Sequence, residues 1–294
     1  MAENLYPLTR PLLIALRAAK DAGLAVLEVY KQDFDVRYKE DRSPLTIADQ
    51  RSHKIIVDQL TEPGVEGFPI LSEEGKDIPF EKRRAWKYFW LLDPLDGTKE
   101  FIKRNGEFTI NIALIYQDRP ILGVIYAPVN QCFYFASKDI GAYKLLYNDA
   151  IDRLYDEIAK RNADEVLKAI LTQSDKLPHE DSRLNSSDSQ LVIAGSRSHP
   201  SKDFEAFVED MKKTYTKVDV VSSGSSLKLC LVAEGKADIY PRLGPTMEWD
   251  TAAGQAIVEQ AGGSVINYET GEPLEYNKKD LLNPWFVVKL HKYI

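Results

Sequence analysis

The stretch WLLDPLDGTKEF, Trp90 to Phe101, carries an apolar run directly into two aspartates three residues apart. An apolar run of this kind suits a buried strand, and carboxylates at its end suffer desolvation and mutual repulsion unless something positive compensates both. Whatever fold the chain adopts must bring that compensation to this one strand end. Pro94 fixes the backbone right after Asp93, and Gly97 permits a tight turn, so both side chains and a main-chain carbonyl can converge on one point. Converging oxygens suit a hard divalent cation such as Mg²⁺. No His/Cys cluster with zinc spacing competes. A solvated acidic turn would leave the strand, the proline and the Gly-Thr unexplained. An aspartyl nucleophile motif has its second aspartate two residues after the first rather than three, and a glycosidase carboxylate pair fits still less well.

Other acidic positions can join this one. PILSEE ends a second apolar run in Glu73 and Glu74, while Thr46-x-x-Asp49, after Ser43-Pro44, reads as a helix entry with Thr46 as N-cap. MEWDTAAG puts Asp250 at another helix start. A buried multi-metal site needs about this many carboxylates, drawn from separate strand ends and helix starts. Helix N-termini also offer N–H groups and a favourable dipole to a phosphate lying over the metals.

Periodicity organises the rest. Leu8 to Tyr30 has helical spacing (Leu12, Leu16, Ala19, Val26), and strands are expected at Pro69–Leu71, Tyr88–Leu92, Thr109–Tyr116 and Pro120–Tyr126. The segment 143–190 turns polar and charged, with a helical pattern through Ile151–Leu171 and a Ser/Asp/Asn-rich run after it. It reads as a connector or surface insertion, with a partner-binding element as the alternative. Beyond it, strands are expected at Leu191–Ala194, Val218–Val221 and Ala237–Tyr240, and helices at Phe204–Lys213, Ser226–Glu234 and Thr251–Gly262. The expected layout is an N-terminal α+β half (1–142) with the metal loop, the connector (143–190), and a C-terminal α/β half (191–294) with Asp250.

At 294 residues the chain can bury a large core. No apolar run approaches the roughly 20 residues of a membrane span, and residues 1–20 lack a signal-peptide pattern, so the cytoplasm is the expected location. Cys132 and Cys230 sit in apolar contexts as small buried residues, not a disulfide framework. Forty-five acidic against 38 basic residues argue against an extended nucleic-acid surface but leave a nucleotide open as a small ligand.

In this order, DPLDGT, SEE and WDTAAG resemble the Mg²⁺-dependent, lithium-sensitive phosphatase superfamily that includes inositol monophosphatase. The longer stretches WLLDPLDGTKEFIKRNGEFTINIALI, GSRSHP and SSGSSLKLCLVAEGKADIYPRLGPTMEWDTAAG are similar to one branch, the bacterial CysQ-type 3'(2'),5'-bisphosphate nucleotidases. The likeness covers nearly the whole chain, except that 143–190 is longer than the usual connector. It implies a layered α/β/α/β fold in two parts with the site between them.

The resemblance also implies roles, position by position. Glu73, Asp93 and the Leu95 carbonyl match the ligands of one Mg²⁺, and Asp93, Asp96 and Asp250 those of a second, two or three ions being expected. Asp49 matches a residue acting through water near a third ion or the nucleophile, Thr98 one that positions and deprotonates that water, and Glu74 a supporting acid. Glu73, Leu95, Asp96, Gly97, Thr98 and Asp250 would border the substrate. Ser196, His199, Gly224 and Lys228 match nucleotide-contacting positions, with Lys228 and Arg242 facing the 5'-phosphate. For Lys228 and Arg242 an ordinary ion pair, and for His199 a structural hydrogen bond, are the plain alternatives, as a solvated face is for Lys99, Lys103 and Arg104. The implied reaction is hydrolysis of 3'-phosphoadenosine 5'-phosphate to AMP and phosphate by water, without a covalent intermediate, clearing a by-product of sulfate assimilation. The sulfated analogue is a further implied substrate. The rivals are an inositol or sugar phosphatase and a nucleotide- or cation-sensing binding protein. Attachment to the cytoplasmic face of the inner membrane is an alternative location that the resemblance brings with it.

Overall fold

Side chains on a strand alternate between faces, and β5 (Thr109–Tyr116) uses this to sort two cores. Ile110, Ile112 and Leu114 join one core with Leu12, Leu16 and Ala19 of α1 (Thr9–Tyr30) and Ile56 and Leu60 of α2 (Ile47–Leu60). Ala113 and Ile115 face the opposite way, into a second core with Ala253, Ile257 and Cys230. Its strand is buried along its full length, as a sheet covered on both faces requires.

The computed structural model describes residues 6–33, 35–38, 44–62, 67–147, 152, 162–179, 189–197 and 201–290. After the short ribbon β1 (Arg37–Tyr38) and β2 (Pro44–Leu45), the large sheet has β3 (Ile70–Ser72), β4 (Tyr88–Asp96), β5, β6 (Arg119–Ala127), β7 (Cys132–Ser137), β8 (Gly141–Leu146) and β9 (Asp175–Lys176), in that order. Only β3 and β4 among these run parallel. The short helices α3 (Phe80–Arg83) and α4 (Thr98–Ile102) flank β4, and α5 (Ala163–Thr172) adds to the α1–α2 side.

A second, five-stranded sheet follows from β10 (Gln190–Ser196), β11 (Lys217–Ser223), β12 (Ile239–Arg242), β13 (Gly263–Asn267) and β14 (Phe286–Leu290), in the order β11-β10-β12-β14-β13. Between the sheets lie α7 (Leu227–Ala233) and α8 (Glu248–Gln260), while α6 (Lys202–Met211) covers the outer face. The layers run helix, sheet, helix, sheet, as expected, and α6 adds a further helix on the outer face of the second sheet. Gly123 sets how closely α8 lies on the large sheet, since a Cβ there would stand 2.3 Å from the Ala253 carbonyl oxygen.

Two expectations change. The boundary at residue 142 cuts through β8, and β9 also lies within the supposed connector, so 143–190 contributes two strands to the large sheet before Gln190 opens β10 of the second. Its helix spans Ala163–Thr172; of the rest of the expected Ile151–Leu171 helix, residues 151 and 153–161 lie outside the described set. No helix among the described residues is long and apolar enough to cross a membrane.

Candidate active site

Residues three apart on a regular strand point to opposite faces. Asp93 and Asp96 escape this because the β4–β5 register slips between them: Asp93 pairs with Asn111 and Asp96 with Thr109, so three steps on β4 match two on β5. This extra residue is a bulge, a place where proline is tolerated, and Pro94 stands in it. Both carboxylates thereby turn toward α8. Asp250 meets them from that helix, and one carboxylate oxygen from each of Asp93, Asp96 and Asp250 lies within 4.8 Å of the others.

Local structure fixes each acid. The Asp93 Oδ1 accepts the Leu95 N–H at 3.1 Å, turning the chain sharply after the bulge. Gly97 completes the turn at φ +89°, a left-handed conformation that favours glycine. Asp96 accepts the Ser225 hydroxyl at 2.6 Å on Oδ2. Asp250 is the third residue of α8 and accepts the Met247 N–H at 2.9 Å through Oδ2.

Burial is the largest influence on all three acids. Burial, reinforced by Glu73, Asp96 and Asp250, pushes the Asp93 carboxyl well above the usual range. Burial also raises Asp96, although the Ser225 hydroxyl and Lys228 hold it back. Asp250 is pushed up to about 8 by burial and by Asp96. A set of hard oxygens repelling one another in this way fits Mg²⁺.

These acids floor a cavity of about 570 Å³ that Glu73, Leu95, Gly97, Thr98, Ser196, Lys228 and Arg242 also line. Asp49 stands behind Thr98, whose hydroxyl lies 3.4 Å from both Asp49 Oδ1 and the Leu95 carbonyl oxygen. The expected cap is present: Asp49 Oδ2 accepts the Thr46 N–H at 2.7 Å, and the Thr46 hydroxyl accepts the Ala48 N–H. Burial raises Asp49 to about 6, with the Thr46 contacts opposing and the charge of Glu74 adding to the rise. Glu74 does not line the cavity.

The remaining positions divide. Lys228 is buried, its ammonium donating to the carbonyl oxygens of Ser225 at 2.6 Å and Ser223 at 3.3 Å, and burial lowers it to about 8. Arg242 donates to the Pro245 carbonyl through Nη2, while its buried Nε has no partner among the described residues. Gly224 is outside the cavity lining; its N–H donates to Glu107, and a Cβ would stand 2.8 Å from the Glu107 carbonyl. His199 lies outside the described residues. Lys99 is at the cavity wall, whereas Arg104 donates to the carbonyl oxygens of Tyr30 and Gln32.

Sequence reasoning passed over Ser225, Thr109 and Asn111. Thr109 Oγ1 lies 2.6 Å from Ser225 Oγ and 2.7 Å from Ser226 Oγ, and Ser226 donates to Asn111 at 2.9 Å, a hydroxyl chain joining α7 to the bulge. The signal was the serine run beside Gly224, where a non-glycine residue, Ser225, takes φ +54°.

Residues 9–291 match the model of the inositol monophosphatase family. The 3'(2'),5'-bisphosphate nucleotidase CysQ of Escherichia coli (strain K12) is 42% identical over 279 residues, covering 93% of this chain and 97% of that protein. Its counterpart in Haemophilus influenzae is 35% identical over 97% of this chain and 93% of its own length. The crystal structure of CysQ from Bacteroides thetaiotaomicron superposes with a TM-score of 0.81 at 44% identity, covering 96% of this chain and 97% of that one.

Proposed function

The chain belongs to the inositol monophosphatase family, and on that premise we propose that it is a Mg²⁺-dependent 3'(2'),5'-bisphosphate nucleotidase. It removes the 3'-phosphate of 3'-phosphoadenosine 5'-phosphate, giving AMP and phosphate, and accepts the sulfated analogue. Its place is the cytoplasm, beside sulfate assimilation.

One observation carries the nucleotide reading. The acid-floored cavity adjoins a second of about 610 Å³, and Lys99, Ser196, Tyr240, Arg242 and Pro245 line both. The second has apolar walls from Phe204, Pro241 and Leu243. An inositol monophosphate needs no such extension; a nucleoside does.

Glu73, Asp93, the Leu95 carbonyl, Asp96 and Asp250 would hold two or three Mg²⁺ ions. When bound, Mg²⁺ acidifies the attacking water and offsets charge on the phosphoryl and leaving oxygens, which a reaction needing acceleration on the order of 10²¹ requires beyond the roughly 10²–10⁴ of a single base. Thr98 orients that water and passes its proton toward Asp49, whose raised basicity suits an acceptor near neutral pH. Lys228, held by two carbonyls on the Asp96 side, lines the acid-floored cavity, Arg242, whose Nε has no partner among the described residues, lines both cavities, and the two face the 5'-phosphate.

A phosphate-release panel tests this, comparing 3'-phosphoadenosine 5'-phosphate, 3'-AMP, inositol 1-phosphate and fructose 1,6-bisphosphate with and without Mg²⁺, on wild type and Arg242→Ala. The bisphosphate should lead and require Mg²⁺. Losing a charge-assisted contact worth about 1.5–3 kcal/mol should lower its kcat/KM roughly tenfold to hundredfold in Arg242→Ala and leave 3'-AMP nearly unchanged. Preference for inositol 1-phosphate, or equal losses on both nucleotides, would overturn the reading.

A further inference from the structure

Asp250 and Glu73 come from distant parts of the chain, and neither β4 nor α8 alone fixes the distance between them. The loop 277–283 is gripped from both sides. On one side is Arg83, buried at the end of α3. Its Nη1 donates to Asn277 Oδ1 at 2.8 Å and to the Lys278 carbonyl at 2.6 Å, and its Nη2 donates to the Lys279 carbonyl at 3.1 Å. Asn277 returns a bond from Nδ2 to the Arg83 carbonyl at 2.8 Å. The Nε of Arg83 donates to the carbonyl of Ile78, which follows Glu73 in the same connection between β3 and α3.

On the other side is Glu248, fully buried in the first turn of α8, two residues before Asp250. Its Oε2 accepts the Asn277 N–H at 2.6 Å, and its Oε1 accepts the Lys278 N–H at 3.0 Å and the Lys278 ammonium at 2.7 Å. Asn277 holds a left-handed φ of 64°, which asparagine tolerates and which aims consecutive N–H groups at one carboxylate. Downstream, Asn283 Nδ2 donates to the Met247 carbonyl at 2.8 Å and Thr251 Oγ1 at 3.0 Å, and the Glu248 N–H donates to the Leu281 carbonyl at 3.0 Å. Met247, Glu248 and Thr251, on either side of Asp250, are thus bonded to this loop.

We propose that Arg83 and Glu248 are positioning residues for Asp250, acting through the 277–283 loop to hold the first turn of α8 at the spacing from the Glu73 segment that a divalent cation requires. Neither touches the cavity, and neither supplies a ligand. Their effect is on ion affinity through geometry, since oxygen donors around Mg²⁺ tolerate little displacement. The inference rests on the reading of Asp250 as a Mg²⁺ ligand.

The test is Mg²⁺ binding by titration calorimetry, alongside thermal melting without Mg²⁺, on Arg83→Met, Glu248→Gln, the double variant and Asp250→Asn. Arg83→Lys and Lys278→Met serve as milder variants should the first two fail to fold. Folded Arg83→Met and Glu248→Gln should bind Mg²⁺ about fivefold to tenfold more weakly. Because both act through one loop, the double variant should be no more than about twofold worse than the poorer single. Tyr134→Phe, distant from the loop, should lose stability without losing Mg²⁺ affinity. Wild-type Mg²⁺ affinity in the folded variants, or fully multiplicative losses in the double, would overturn the proposal. If Asp250→Asn itself binds Mg²⁺ normally, the ligand reading fails instead.

Discussion

Glu234 and the Asp93–Asp96–Asp250 group are acids sunk into the same middle layers, yet their surroundings are opposite. Glu234, 2% exposed, accepts the Tyr134 hydroxyl at 2.5 Å and has Lys144 at 3.0 Å, Lys236 at 2.5 Å and His179 at 3.4 Å. Burial alone would raise it, but Lys236, Tyr134 and Lys144 hold it below its ordinary value. The three aspartates crowd within 4.8 Å and are all raised. Glu234 has several cationic partners for one charge and closes a joint between β7, β8 and α7. The aspartates share a shortfall of positive charge, which a bound cation would offset.

The largest effect that can break this contrast is Asp93→Asn. Turnover should fall at least about 10³-fold, because the acid that feels the charges of Glu73, Asp96 and Asp250 together is neutralised. Without Mg²⁺ the variant should melt higher than wild type, since repulsion is removed along with function. Full Mg²⁺-dependent turnover in a folded variant would remove Asp93 from the site. The smallest effect is Tyr134→Phe at the other acid. One hydrogen bond to a charge is lost while the lysines remain, so stability should drop by about 1 kcal/mol, roughly 2–4 °C in melting temperature, with kcat unchanged. Loss of turnover there would mean that the two acidic centres are coupled.

Much of this was legible beforehand, and the exceptions have physical causes. DPLDGT announced a carboxylate site, but not why residues three apart share a face; that needed the β5 register, which belongs to a different segment. Thr46 and Asp49 are local, so their cap could be read directly. Strand β7 is buried along its length and lacks the alternation that flags a half-buried strand. Gly224, expected as a ligand contact, also packs against Glu107 and donates its N–H to it, a contact across 117 positions that no local pattern announces. Arg83 carries no motif, and nothing in MEWDTAAG singles out Glu248, because their shared partner is a loop near the far end of the chain.

The most direct measurement is the melting temperature from about pH 5 to about pH 8, in chelator and in saturating Mg²⁺, for wild type and Asp250→Asn. Asp250 has an ordinary value of 3.8 and is raised to about 8 in the fold, so the folded state holds its proton where the unfolded chain has lost it. Its contribution without Mg²⁺ must therefore decline as pH rises through that window, whereas Glu234, being lowered, loses its contribution only as pH falls toward its folded value. Comparison with Asp250→Asn cancels the histidines. The account predicts that Mg²⁺ raises the wild-type melting temperature more at pH 8 than at pH 5, and that this difference shrinks in Asp250→Asn. A Mg²⁺ effect that is absent, or equal at both pH values and in both proteins, would contradict it.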